Sequence, residues 1–232
     1  IHEASRAGVN RLLFLGSSCI YPRDCPQPIR EEYLLTGPLE TTNRAYAIAK
    51  IAGIEMCWSY NRQYGTRFLC VMPTNLYGPG DHYDLKNSHV LPALIRKMNE
   101  AKERGDREVV VWGTGTPRRE LLYSDDMADA CLELIALPNA EFASVISTFP
   151  PLINVGCAED LTIRELAATI AGVVGFKGEL RFDTSRPDGT PRKLLDVSRM
   201  FSLGWRPSTS LKRGIAQTNA DFLASRVGNV AV

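Results

Sequence analysis

The sequence predicts an α/β fold with a mostly parallel sheet, and three features point to it. Residues 11–15 and 67–72 are apolar runs of strand length, and strands covered by helices on both faces are apolar throughout. Residues 44–64 and 163–174 have the periodicity of helices. Strands and helices alternate over short links, and this order favours parallel strands joined by helical crossovers.

The elements follow in order from the local signals. Residues 1–8 are the last turns of a helix, and after the first strand a proline-rich loop at 21–43 leads to the long helix. Thr41, Thr42 and Asn43 offer N-cap oxygens to that helix. The remaining predicted elements are a helix at 90–104, a strand at 109–112, a helix at 124–137, a strand at 153–155, a helix capped by Thr162, a strand at 179–182 and two shorter C-terminal helices.

The composition excludes several classes of function. The net charge of +1 over 232 residues, with both signs interspersed, leaves no basic footprint for nucleic acid or an anionic membrane. No apolar run approaches the ~18 residues that span a bilayer. The 6 cysteines occur singly beside only 3 histidines, so no zinc-binding spacing can be assembled and no metal is expected. We therefore expect a cytoplasmic protein that binds neither nucleic acid nor membrane.

The segment Asn-Arg-Ala-Tyr-Ala-Ile-Ala-Lys at 43–50 carries the most informative chemistry. Tyr46 and Lys50 are four residues apart and share one face of the predicted helix. An ammonium group beside a phenol favours the phenolate, so Tyr46 could exchange a proton with a carbonyl or an alcohol. Ser17 follows a neighbouring strand, where ligands of parallel sheets bind. A surface Tyr and Lys with this spacing by chance is the alternative, because short motifs often match by chance.

The glycine-rich turn of a dinucleotide-binding fold is not found. Gly113-Thr-Gly115 precedes Pro117 and Arg118, which neither supply a third glycine nor open the required helix. Either the protein has no such cofactor, or the first strand-helix unit lies outside this sequence. Because the chain begins without Met inside a predicted helix, we expect an N-terminal part to be missing and these residues alone to be inactive.

Six segments in order carry a resemblance to a known family. They are GSSCIYP (16–22), YAIAKIAGI (46–54), MPTNLYGP (72–79), NSHVLPAL (87–94), VVVWGTGTPRRE (109–120) and PDGTPRKLLD (187–196). Each is weak alone, but together they resemble the extended short-chain dehydrogenase/reductases, and within them the GDP-L-fucose synthases. The resemblance extends from about residue 11 to residue 222 and lacks the family's N-terminal glycine-rich part.

The resemblance implies an incomplete Rossmann-type parallel sheet, without its N-terminal units, and a smaller α/β substrate-binding domain. Residues 1–75 and 119–156 would form the partial dinucleotide-binding domain. Residues 76–118 and 157–232 would bind the nucleotide sugar.

The implied reaction has two stages at one site. GDP-4-keto-6-deoxy-D-mannose is epimerised at C3 and C5, and NADPH then reduces the C4 ketone to give GDP-L-fucose. Cys19 and His89 match the family's epimerisation pair, and free imidazole and thiol groups titrate near ~6.5 and ~8.5, on either side of neutral pH. Read without the motifs, Cys19 is a buried apolar thiol and His89 a polar residue at a helix N-terminus.

The resemblance also assigns binding roles to residues of this sequence that lie in the matching motifs. Those assigned to the cofactor are Tyr46, Lys50, Pro73, Asn75, Leu76 and His89. Those assigned to the GDP-sugar are Lys97, Trp112, Arg119 and Lys193, since cations grip a diphosphate; a solvated helix face is the alternative for Lys97.

Three departures from the family pattern leave these groups in place. They are Arg44-Ala45 before the tyrosine, the loop 80–86 and Tyr123. Another nucleotide-sugar epimerase or dehydratase of the same fold, and a truncated chain that binds nucleotide sugar without turnover, remain alternatives. We also expect a homodimer, because the helix at 44–64 is apolar on more than one side.

Overall fold

The computed structural model describes residues 1–85 and 87–228, which form two compact units. The first unit comprises Ile1–Asn75, Asp126–Ala158 and Lys193–Pro207. The second comprises Leu76–Asp125, Glu159–Arg192 and the described residues from Ser208 onward. Lys86, the last residue of the loop that departs from the family pattern, lies outside the described residues.

The strands and helices alternate along the chain as the sequence predicts. The strands are β1 Arg11–Leu15, β2 Arg67–Pro73, β3 Asn75–Tyr77, β4 Glu108–Trp112, β5 Arg118–Tyr123, β6 Leu152–Val155, β7 Asp160–Thr162, β8 Glu179–Asp183 and β9 Arg192–Lys193. The helices are α1 His2–Arg6, α2 Arg44–Tyr64, α3 Val90–Arg104, α4 Ser124–Ala136, α5 Asn139–Ile146, α6 Ile163–Val174, α7 Ser198–Ser202 and α8 Leu211–Gly228. No helix in the described part of the chain is both long and apolar enough to cross a membrane.

The first unit is built on a parallel sheet in the order β1-β2-β6. In β2, Phe68, Leu69, Cys70, Val71 and Met72 are all fully buried, as a central strand covered on both faces must be. Its Leu69 is paired with Leu13 and its Val71 with Ile153. The α/β fold with a parallel, Rossmann-type sheet is therefore confirmed.

Helix α2 lies close against the sheet because it contains a glycine at the contact. A Cβ atom at Gly53 would lie 2.2 Å from Cζ of Phe14 in β1, so only glycine allows this approach. Helix α2 ends at Gly65, which adopts the left-handed conformation. The close approach fixes where the first turns of α2, with Tyr46 and Lys50, stand relative to the end of β1.

The second unit has a mixed architecture. β4 and β8 form a parallel pair, whereas β5 pairs antiparallel with β7 and also contacts β3 and β9. Helices α3, α6 and α8 pack over these strands, with Met98, Ile170 and Ile215 fully buried between them. Thr162 caps α6 as predicted, and its side chain and Glu165 form a reciprocal capping box.

The sequence analysis did not predict β3, β5, β7, β9 or α5, and it expected α8, which spans 18 residues, to be short. Strand β5 was not predicted, because its first residues Arg118 and Arg119 are charged; Arg118 is accommodated by an ion pair with Asp160 at 2.8 Å. The bounds of the two compact units differ from those of the predicted domains, since residues 119–125 belong to the second unit and residues 193–207 to the first. Arg199 holds residues 193–207 there by donating to the carbonyl oxygen of Leu152 at 2.8 Å.

Candidate active site

The Tyr46 and Lys50 side chains lie together on α2, as their spacing predicts. The Lys50 ammonium lies 5.6 Å from the centroid of the Tyr46 ring and donates a hydrogen bond of 2.8 Å to the carbonyl oxygen of Leu15. Tyr46 is 49% exposed. A phenol that is open to solvent beside a fixed cation can meet a bound ligand, so the pair is available for chemistry.

Ser17 lies just beyond the end of β1 and begins a 3-10 turn over Ser18–Ile20. Its hydroxyl oxygen accepts a hydrogen bond of 3.3 Å from the backbone N–H of Cys19. The turn therefore fixes Ser17 and Cys19 at the carboxyl edge of the sheet, where parallel sheets bind their ligands.

The Cys19 thiol is poised to ionise. Burial raises its pKa, but the charge of Lys193 and hydrogen bonds from Ser17, Lys193 and Asn43 outweigh burial, so the pKa lies below its ordinary value. Lys193 Nζ is 3.4 Å from Cys19 Sγ. Since a thiolate is the reactive form of cysteine, this environment favours a reactive thiol.

Asn43 is a site residue that the sequence analysis assigned only as a helix cap. It occupies the N-cap position of α2, but its side chain makes no cap hydrogen bond. Its carboxamide contacts Cys19, and its Oδ1 atom is buried without a partner among the described residues. A buried acceptor without a partner is costly, so it is positioned to receive a donor from a ligand or water.

Lys193 contacts the Cys19 thiol, and three further residues were assigned to the GDP-sugar. Those residues, Lys97, Trp112 and Arg119, line a cavity of about 270 Å³ in the second unit. The cavity lies where the parallel pair β4 and β8 ends. The loops that follow these strands contribute Gly115, Pro117 and residues 187–189 to its wall, as expected for the ligand edge of a parallel arrangement.

The cavity combines an indole ring with cations. Lys97 Nζ is 5.0 Å and the Arg186 guanidinium carbon 5.2 Å from the Trp112 ring centroid. Trp112 is 54% exposed, and burial lowers the pKa of Lys97. An exposed indole beside two positive charges suits a ligand that has both an aromatic base and phosphates.

Arg119 is a third cation in this cavity, and the backbone holds it. It donates from Nη1 to the carbonyl oxygens of Arg118 at 2.7 Å and Thr190 at 2.6 Å. Burial lowers its pKa and the nearby Asp188 partly offsets this. Asp188 in turn accepts a hydrogen bond from the backbone N–H of Thr114 at 2.9 Å. This bond connects the loop after β8 to the loop after β4, so the cavity wall is held together before any ligand binds.

His89 is at the N-cap position of α3 and is exposed. The residues on either side of it, Ser88 and Val90, line the cavity. The Ser88 hydroxyl oxygen, which sequence reasoning missed, is buried without a hydrogen-bond partner in the part of the chain that the structure describes. The NSHV motif was the signal that could have identified it.

The remaining residues assigned to the cofactor follow β2. Pro73 is the last residue of β2, and Asn75 and Leu76 are the first two residues of β3. Leu76 is 38% exposed. Pro73 and Asn75 thus lie where a buried strand of the first unit ends, at the ligand edge of such a sheet, and Leu76 belongs to the second unit.

Comparison with known proteins decides the family. Residues 1–155 match the NAD dependent epimerase/dehydratase family. The chain belongs to this family. It is also 55% identical over 226 residues to the GDP-L-fucose synthase of Escherichia coli K12, covering 97% of this chain and 70% of that protein. To the GDP-L-fucose synthase of Sinorhizobium fredii NGR234 it is 52% identical, covering 99% of this chain and 70% of the relative.

Solved structures of epimerase/dehydratase relatives have the same fold. A GDP-L-fucose synthetase from Naegleria fowleri bound to NADP superposes with a TM-score of 0.84 at 30% identity, covering 97% of this chain and 69% of that one. A GDP-mannoheptose C4 reductase from Campylobacter jejuni with NADP bound gives 0.85 at 38% identity, over 96% and 70%.

The donors of the first unit fit the nicotinamide cofactor of this family. An ammonium group can donate three hydrogen bonds, and Lys50 donates one of them to the carbonyl oxygen of Leu15. The others are available to hydroxyl groups such as those of a ribose. The exposed phenol of Tyr46 and the hydroxyl of Ser17 complete a set suited to a carbonyl next to the cofactor.

Proposed function

We propose that this protein converts GDP-4-keto-6-deoxy-D-mannose to GDP-L-fucose, with NADPH as the reductant. The observation that best supports this proposal is that the Cys19 thiol, whose pKa is lowered, lies in the same unit as the Tyr46 and Lys50 pair. A reductase without epimerisation needs the pair but not the activated thiol. The relatives that are 52–55% identical to this chain are named GDP-L-fucose synthase.

Epimerisation requires a base and an acid next to a ketone. A thiolate at Cys19 removes the proton from the ring carbon beside the C4 ketone, and the C–H electron pair moves onto the keto oxygen. The phenol of Tyr46 stabilises the resulting enolate by hydrogen bonding to that oxygen. His89 returns a proton to the opposite face of the carbon, and the ketone reforms with inverted configuration.

Reduction follows at the same ketone, so a single site has both activities. When bound, NADPH would supply the hydride to C4. Tyr46 then donates its phenolic proton to the oxygen, with Ser17 as the second hydrogen-bond donor. Lys50 stabilises the phenolate that remains and holds the ribose.

The nucleotide is held by the cavity of the second unit. Trp112 offers its indole face to the guanine base, and Lys97 and Arg119 bind the diphosphate. Arg119 is suited to this role because two backbone carbonyls already orient its guanidinium group, so little conformational entropy is lost on binding.

The direct test supplies the full-length protein with GDP-4-keto-6-deoxy-D-mannose and NADPH. We expect consumption of NADPH and formation of GDP-L-fucose, and the absence of both would refute the proposal. A panel of other nucleotide sugars separates it from an epimerase or dehydratase of different specificity. Calorimetry with NADPH on these 232 residues separates it from a chain that binds nucleotide sugar without turnover.

The active form is a homodimer in this proposal. Ile48, Ala52 and Met56 follow one another at fourfold spacing on α2 and are exposed, which leaves an apolar row for a second copy. Ile48→Glu should convert the dimer to a monomer in a measurement of mass in solution. A wild-type protein that is monomeric at micromolar concentration would contradict the dimer.

We place the protein in the cytoplasm. All 6 cysteines are free, and a thiol such as Cys19 is kept reduced in a reducing compartment. Cell fractionation tests this, and recovery of the protein from an oxidising compartment would argue against it.

A further inference from the structure

The contact between Lys193 and Cys19 joins residues that are far apart in the sequence but lie in the same unit. The two atoms, Nζ and Sγ, are 3.4 Å apart. The other groups that face the sulfur are the hydroxyl of Ser17 and the carboxamide of Asn43. One full positive charge and two neutral donors therefore surround the thiol.

Hydrogen bonds fix the backbone that follows Lys193. Leu194, the residue after Lys193, donates its N–H to the side chain of Gln27 at 2.9 Å and accepts from the N–H of Ile29 at 2.8 Å. Asp196 donates to the carbonyl oxygen of Ile29 at 2.8 Å. Hydrogen bonds to residues 27–29 thus hold the backbone immediately after Lys193.

A second thiol gives an internal comparison. The charge of Lys193 also acts on Cys25, but burial dominates there, Asp24 opposes ionisation, and the pKa of Cys25 is raised. Cys19 differs because it has the direct Lys193 contact and the Ser17 and Asn43 hydrogen bonds. The charge of Lys193 acts on both thiols, but only the pKa of Cys19 falls below its ordinary value, whereas that of Cys25 stays above it.

We propose that Lys193 is a positioning residue that holds Cys19 as the thiolate which removes the ring proton during epimerisation. This inference rests on the proposed function for its catalytic meaning. It moves Lys193 from the binding of the GDP diphosphate to the control of the base. The proton taken from carbon is held on Sγ as a thiol, and Lys193 loses its ion pair with the sulfur at that moment. The nearby ammonium charge favours release of this proton to solvent water, which restores the thiolate for the next turnover.

The test measures thiol alkylation as a function of pH, with the Cys19 and Cys25 peptides quantified separately by mass spectrometry. In the wild type, Cys19 should react with iodoacetamide at lower pH than Cys25. In Lys193→Met the rate at Cys19 near neutral pH should fall by roughly tenfold, which corresponds to the loss of an attraction of about 1.4 kcal/mol. Lys193→Arg should retain most of the rate.

Two controls separate this effect from damage to the fold. Arg62→Met removes a charge from the last turn of α2, about 28 Å along the helix from Asn43, and should leave the Cys19 profile unchanged. Cys57 and Cys70 are fully buried, so they should stay unlabelled in every folded variant. If Lys193→Met exposes them, Lys193→Gln takes its place.

The outcomes are distinguishable. A Cys19 profile that is the same in wild type and in the folded lysine variant overturns the inference, whatever the enzyme does. A shifted profile together with lost solvent-deuterium incorporation into the sugar supports it, especially if raising the pH restores incorporation. A shifted profile in a protein that never incorporates deuterium supports the ion pair and refutes the proposed function.

Discussion

Lys50 connects helix α2 to the end of β1 through a hydrogen bond of 2.8 Å from its ammonium to the carbonyl oxygen of Leu15. This bond holds the ammonium beside Tyr46 and leaves further protons for a ligand. Lys50→Met should therefore weaken NADPH binding by roughly tenfold, because a hydrogen bond from a charged donor contributes about 1.5 kcal/mol or more. Fluorescence titration measures this, with Arg62→Met as the matched control. Equal affinity in the Lys50 variant would remove it from the cofactor site.

Tyr46→Phe should block reduction and slow epimerisation to a smaller extent, because the Ser17 hydroxyl still donates a hydrogen bond to the keto oxygen. The phenol is exposed, so its removal leaves the packing unchanged but takes away the proton that C4 oxygen must receive. We expect NADPH consumption to fall by about 10²-fold or more, as for loss of a general acid. NMR of the sugar in deuterated water should still detect exchange at C3 and C5. Undiminished NADPH consumption would contradict the role of Tyr46.

Cys19→Ser should slow epimerisation far more than it affects folding. A serine hydroxyl ionises at far higher pH than a thiol and cannot use the charge of Lys193 to become a base near neutral pH. Deuterium incorporation at C3 and C5 is the measurement, and a drop of about 10²-fold is expected. Cys25→Ser is the matched control and should incorporate deuterium at the wild-type rate. Unchanged incorporation in the Cys19 variant would exclude it as the base.

Trp112→Ala should raise KM for the GDP-sugar and leave kcat nearly unchanged. Stacking of a base on an aromatic side chain is worth about 1–3 kcal/mol, so a rise of roughly tenfold is expected. Trp112→Phe, which keeps an aromatic face, should lose less. Steady-state kinetics distinguishes the two variants. If alanine and phenylalanine behave alike, the indole does not stack on the base.

Asp160 should make the stability of the second unit depend on pH. Its side chain is 5% exposed and is paired with Arg118 at 2.8 Å and with Arg192. Burial raises its pKa, but the hydrogen bonds and charges of the two arginines prevail and the pKa is lowered. A lowered folded-state pKa means that the pair stabilises the fold above the unfolded value of about 3.9. This contribution is lost as the pH falls through the folded-state value.

The variant that tests this is Asp160→Asn. It should cost about 2 kcal/mol of unfolding free energy at neutral pH, the order of hydrogen bonds to a charged group. The difference from wild type should shrink as the pH falls below about 4. Urea unfolding at several pH values measures it. A difference that stays constant with pH would show that the carboxylate charge is unimportant.

Local patterns were enough to predict the long helix, the buried strands and the Tyr46–Lys50 pair. Four residues of helix bring two side chains to one face whatever the rest of the chain does. The apolar run of β2 likewise permits only a covered central strand. Strand β5 escaped prediction because Arg118 is compatible with a strand only once Asp160, 42 residues later, neutralises it.

The sequence by itself determined the α/β class, the order of its longer helices and of the buried strands of the first unit, and the chemistry of each candidate residue, since these depend on contacts within a few turns of chain. Tertiary structure alone decided that Lys193 contacts Cys19, which is 174 residues away in the sequence. It also decided that the side chain of Asn43 contacts the thiol and does not cap the helix. The reason is physical. A cation and a thiol interact through a short distance in space, and only the pairing of distant segments creates that distance.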